Sequence, residues 1–144
     1  MEQTAETLAR LVGEQQGLLA ELLALAEREY DCCTGEALDE LPEIVAQRAE
    51  VLSACQAVHA EAAELVQLMR RNGWPVPPAV QQTAQNTSQV ISAIEAIDDR
   101  SRQLLEELML RRIATLNQIN TGSRLLRAFK TEPDVISIAH SSRE

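Results

Sequence analysis

Between Pro78 and Pro133 the chain runs 54 residues without a proline. Along that stretch apolar side chains recur at intervals of three and four: Val90, Ile91, Ile94, Ile97, Leu104, Leu105, Leu108, Ile113, Leu116, Ile119, Leu126 and Phe129. That spacing is the signature of one helix face, and nothing within it favours a strand or a stop. A chain committed to so long a helix must find other helices to cover it. The sequence supplies two.

The first candidate carries Leu8, Leu11, Val12, Leu18, Leu19, Leu22, Leu23, Leu25 and Ala26, with Gln15 and Glu29 as polar interruptions. Its stripe fades around Tyr30 to Gly35, which predicts a turn there. The second carries Leu38, Leu41, Val45, Leu52, Cys55, Ala62, Val66 and Met69, flanked by Ile44, Val51, Val58 and Leu65. Arg48 and His59 fall on its seam. Pro42 is compatible with the first helical turn, where a missing N–H has no intrahelical acceptor. Asn72-Gly73 is a glycine-type stop, and Trp74 after it is placed as a plug for the bundle end.

The fold expected is all-α: three long antiparallel amphipathic helices over residues 3–33, 39–72 and 78–130, forming one elongated bundle domain, 1–130. Residues 131–144 are expected to be a flexible tail, because they are polar, short and broken by Pro133. Composition agrees. The chain is 45% hydrophobic but only 2% aromatic, with Tyr30, Trp74 and Phe129 its three rings. Leu, Ile, Val and Ala must therefore make the core.

About 50 residues of helix span about 75 Å, against about 45–50 Å for helices near 30 residues. The third helix, the longest, therefore either bends or breaks, with Thr121-Gly122-Ser123 its weakest point, or overhangs the bundle with its last 20-odd residues. An overhang bearing Leu125, Leu126 and Phe129 would expose apolar surface and call for a partner.

The net charge is −9, unevenly spread. Residues 1–99 hold 17 acidic and 5 basic side chains, a net of −12, and residues 100–144 hold 5 and 8, a net of +3. This argues against nucleic-acid binding, which needs a basic footprint. The arginines from Arg100 to Arg127 read as a solvated face paired with the acidic helices, the alternative being a contact surface for an acidic partner.

Cys32, Cys33 and Cys55 form neither a metal-ligand pattern nor a disulfide framework, which fits a reducing cytosol. Residues 1–10 lack the basic and apolar regions of a secretory signal, and no apolar run reaches the ~18 residues a membrane span needs, so no membrane insertion is expected.

Catalytic chemistry is not evident. The sequence has no glycine-rich phosphate loop, nucleophile elbow or histidine pair at helical spacing. Asp98-Asp99 and Glu106-Glu107 are adjacent on a helix and read as solvated faces rather than acid–base dyads. His59 reads as a half-buried histidine with a water or carbonyl partner. The expectation is a protein-binding protein, not an enzyme, with no cofactor and no metal.

Two segments carry a family resemblance. Glu36-Ala37-Leu38 followed by Leu41, Ile44, Arg48 and Leu52 resembles the start of the second helix in FlgN-type flagellar type III export chaperones. Leu116-Asn117-Gln118-Ile119-Asn120 with Gly122 and Leu125-Leu126 resembles their asparagine-bearing pattern late in the last helix. The resemblance implies a cytoplasmic chaperone. It would bind hook-filament junction (hook-associated) proteins, prevent their premature assembly and deliver them to the flagellar export machinery. It further implies a client-binding segment at Ile119, Leu125, Leu126 and Phe129, extending to Val135, Ile136 and Ile138. The tail lacks the Tyr-Gly pair that some members carry for docking to the export machinery, and Phe129 is its nearest aromatic. The alternative is a homo-oligomeric coiled-coil scaffold or adaptor whose surplus stripe pairs with itself; a weak homodimer is compatible with either.

Overall fold

A computed structural model describes residues 1–130, with side chains to Ala128. The described chain is all-α. Helix α1 spans Glu2–Thr34, a single 3-10 turn Leu38–Glu40, α2 Leu41–Arg71 and α3 Pro78–Lys130. Each expected helix is present, with ends within two residues of those read from the pattern. Pro42 sits in the first turn of α2. Thr121-Gly122-Ser123 does not interrupt α3, which is helical through all three. Gly122 costs only about 1 kcal/mol and its neighbours Asn120, Thr121 and Ser123 less than that each, too little to stop a helix already propagating.

The chain divides into two compact units, residues 1–102 and 103–144.

In the first unit α2 runs antiparallel to α1 and α3. Hydrogen bonds fix the registers: Gln15 meets His59 and Gln16 meets Thr87, while Arg48 meets Glu29 and Asp98. The core lies in three successive clusters. Leu8, Leu11, Ala62 and Met69 form one, capped by Trp74 and Val80. Leu19, Leu22, Ala26, Cys55 and Ile94 form the middle one. Leu25, Cys32 and Ile44 close the far end with Ala37 and Leu41. Trp74 thus packs where the sequence placed it.

Both interhelical turns use the same device. At the end of α2, the Trp74 N–H donates to the Met69 carbonyl at 2.9 Å and the Gly73 N–H to Arg70 at 3.1 Å. This is the paired closure of a Schellman motif, and Gly73 takes the left-handed conformation it needs, φ +66. At the end of α1 the Ala37 N–H donates to the Cys32 carbonyl at 2.9 Å. Here Gly35 stays right-handed at φ −86, and Glu36 takes the positive φ of 58.

The four polar residues that interrupt the stripes of α1 and α2, Gln15, Glu29, Arg48 and His59, each have a partner on another helix, whereas the buried Ser101 hydroxyl on α3 has none among the described residues. The Arg48 guanidinium donates to Glu29 Oε2 at 2.9 Å and to both Asp98 oxygens at 2.9 and 3.0 Å. The bond to Asp98, helped by the nearby Glu29, pushes the Arg48 pKa up against the opposing effect of burial. Asp98 is half-exposed, with its carboxylate committed to Arg48 across the bundle. Asp99 is exposed and pairs with Arg102 one turn on at 3.1 Å. Gln15 Nε2 lies 3.2 Å from His59 Nδ1, and His59 is exposed rather than half-buried. The partner that the structure gives His59 is a side-chain amide nitrogen, where a water or carbonyl was expected.

Candidate protein-binding surface

The described part of the second unit, residues 103–130, belongs wholly to α3. Leu108 is buried at 7% exposure. From Met109 to Leu126 the large apolar side chains are open to solvent. Met109, Leu110, Ile113, Leu116, Ile119, Leu125 and Leu126 are each between 50% and 66% exposed.

Their order along the helix matters more than their number. Met109, Ile113, Leu116 and Ile119 follow one another at intervals of four, three and three, and Leu126 comes seven residues after Ile119. At about 100° per residue these positions form one drifting stripe, with Leu126 about 20° from Ile119. Leu125 stands about 100° away from Leu126, on the flank of the stripe. Thr115 and Thr121 donate their hydroxyls to the carbonyls of Arg111 and Asn117 four residues back, at 3.0 and 2.9 Å. Their polar atoms are thereby satisfied within the helix. Arg111, Arg112, Arg124 and Arg127 are exposed.

Of the residues expected to bind a client, Ile119 and Leu126 come together on one face, and Leu125 is exposed beside it. Phe129 lies in α3, with its side chain outside the described residues, as are Val135, Ile136 and Ile138 altogether. Sequence reasoning did not name Met109 and Leu110, and placed Ile113 and Leu116 on the α3 stripe without expecting them to bind a client. The usable signal was length: α3 has 53 residues against 33 and 31 for α1 and α2.

Such a surface can bind but has little chemistry. Among the described residues no cluster of His, Cys, Asp or Glu could hold a metal ion, and no helix is long and apolar enough to cross a membrane. The three thiols are buried and free. Burial pushes their pKa values up, with Glu40 adding to the effect at Cys32 and Glu29 at Cys33. They are held away from the reactive thiolate. Covering the half-exposed Leu and Ile side chains is worth on the order of 1 kcal/mol each, before the cost of association.

Comparison with protein-family models, curated proteins and solved structures found no match to this chain.

Proposed function

We propose that this chain is a cytosolic export chaperone that masks the assembly surface of a hook-filament junction protein and hands it to the flagellar export apparatus. The observation that carries the reading is the exposed stripe from Met109 to Leu126. A contiguous apolar stripe of this length on a helix is costly to leave in water and suits a helix-to-helix contact. The likeness of residues 36–52 and 116–126 to the export-chaperone pattern supplies the class of client.

In this mechanism a terminal helix of the client lays its apolar face along the stripe, in a coiled-coil mode. The same client surface would otherwise drive its polymerisation, so binding and masking are one event. The net charge of −9 keeps the unloaded chaperone soluble. Delivery follows from release of the client at the export gate, and no covalent step is required.

The test is a titration of a purified hook-filament junction protein with the full chain, read by calorimetry and by client polymerisation. Stoichiometric binding that suppresses polymerisation is the expected result. Absence of binding, together with a tight oligomer of the chain alone by light scattering, would replace this reading with the scaffold one.

A further inference from the structure

A second apolar surface lies wholly within residues 1–102. Two clefts open side by side between α2 and α3, with α1 beneath them. One, of about 440 Å³, is lined by Leu8 and Val12 of α1, Ala63 and Val66 of α2, and Val80 and Ala84 of α3. The other, of about 490 Å³, is lined by Leu19 and Leu22, Leu52 and Cys55, and Ile91 and Ile94. Gln15, His59 and Thr87 border both. The clefts therefore form one trough with a polar waist where Gln15 meets His59.

The lips of this trough differ from the rest of the unit. Along α2 the exposed row is Ala49, Ser53, Gln56, Ala60, Ala63 and Gln67, with no charge in it. Along α3 it is Gln81, Ala84, Ser88 and Ile91, before Glu95. Leu52 and Ile91 remain 47% and 42% exposed. Small uncharged lips permit the 8–10 Å approach of a packed helix. The α2 wall from Ala49 to Arg70 is about 30 Å long, enough for about 18 residues of helix. Three helices with an open trough between two of them are a four-helix bundle lacking one member.

Charge says which member fits. Residues 1–102 hold 17 acidic and 7 basic side chains, a net of −10. Glu95 lines one end of the trough and Arg70 the other, and the Arg48 beside Glu95 is already committed to Glu29 and Asp98. A second copy of this unit would bring another −10 against the first. A basic helix would be drawn in.

We propose that the α2–α3 trough is a docking site for a single amphipathic helix of another protein, about 18 residues long, with an apolar stripe, basic flanks and a polar residue at its middle opposite Gln15 and His59. This site is separate from the α3 stripe and does not rest on the chaperone reading.

The experiment uses the full chain and three fluorescein-labelled 18-residue peptides, followed by anisotropy. The first has a leucine stripe at helical spacing, lysine flanks and one central asparagine. The second replaces the lysines with glutamates, and the third scrambles the first so that the stripe is lost. Saturable binding of the lysine peptide is expected, with the other two weaker by at least about tenfold. Leu52→Lys and Ala63→Lys, both at exposed positions and checked for helix content, should each weaken the lysine peptide by at least about tenfold. Ala20→Lys, on the outer side of α1, should leave it unchanged. Equal binding of the scrambled or glutamate peptide, or full binding by both trough variants, would overturn the proposal. A dimer of the chain alone that Leu52→Lys abolishes would also overturn it, by giving the trough to a second copy.

Discussion

Arg48 meets Asp98 with both terminal nitrogens, at 2.9 and 3.0 Å, and shares one of them with Glu29 at 2.9 Å. One guidinium thus ties all three helices of the first unit at a single level, between the middle core cluster and the far one. The fork geometry suits Arg and not Lys, whose ammonium cannot present two parallel donors to one carboxylate.

Removing Arg48 should cost more than removing Asp98, because the side chain of Glu29 is only 13% exposed while that of Asp98 is 39% exposed. Arg48→Ala leaves Glu29 nearly buried without its cation, for a loss of about 2 kcal/mol after allowing for partial solvent screening. Asp98→Ala leaves Arg48 still paired, for a loss of about 1 kcal/mol. Urea titrations followed by circular dichroism measure both. Equal losses would show that Glu29 finds another partner.

The two turns make opposite predictions for glycine. Gly73 has φ +66 with nothing within 4 Å of an added Cβ, so Gly73→Ala should destabilise by about 1 kcal/mol through backbone strain alone. Glu36 holds the equivalent left-handed place at φ 58. Glu36→Gly should stabilise by about 0.5–1 kcal/mol, minus whatever its side chain contributes. Paired thermal melts check the sign of each.

The helices were legible because apolar spacing and the prolines act locally. The stop at Asn72-Gly73 was legible for the same reason. At the first turn the fading stripe marked the place, Tyr30 to Gly35, but not the residue that turns: Glu36 takes the left-handed conformation while Gly35 stays right-handed. Pairing was harder. Gln15, Glu29, Arg48 and His59 all stood out as polar residues on apolar stripes, but their partners lie 19 and 44 residues away. Only the helix registers decide such pairs. The trough was not legible at all, since periodicity says which face is apolar but not which seam stays open. The exposed stripe on α3 was half legible, in Ile119 and Leu126 but not in Met109.

The thiols report on the packing of the first unit. Cys32, Cys33 and Cys55 are each under 8% exposed, with pKa values raised mainly by burial. At pH 8 the native protein should react with iodoacetamide on the order of a hundredfold more slowly than in urea. Because the folded values are raised, the contribution to stability is complete below the unfolded-thiol value of about 8.5. It is lost as pH rises through the folded values. Replacing all three with Ala should flatten that alkaline decline in urea titrations from pH 7 to 10. A decline that persists unchanged would assign it to other groups.

The stripe on α3 makes a directional prediction that a merely sticky surface would not. Ile119 and Leu126 are seven residues apart and share a face, whereas Leu125 is about 100° away from Leu126. All three are more than half exposed, so aspartate at any of them should leave helix content unchanged. If a client helix lies along the stripe, Ile119→Asp and Leu126→Asp each remove a central apolar contact and weaken client binding by at least about tenfold. Leu125→Asp touches only the flank and should weaken it less than about threefold. Calorimetric titration of the three variants with one hook-filament junction protein reads the pattern directly. Equal weakening by all three would mean that the client does not distinguish the faces of α3, and the helix-to-helix contact would fail as the mode of binding.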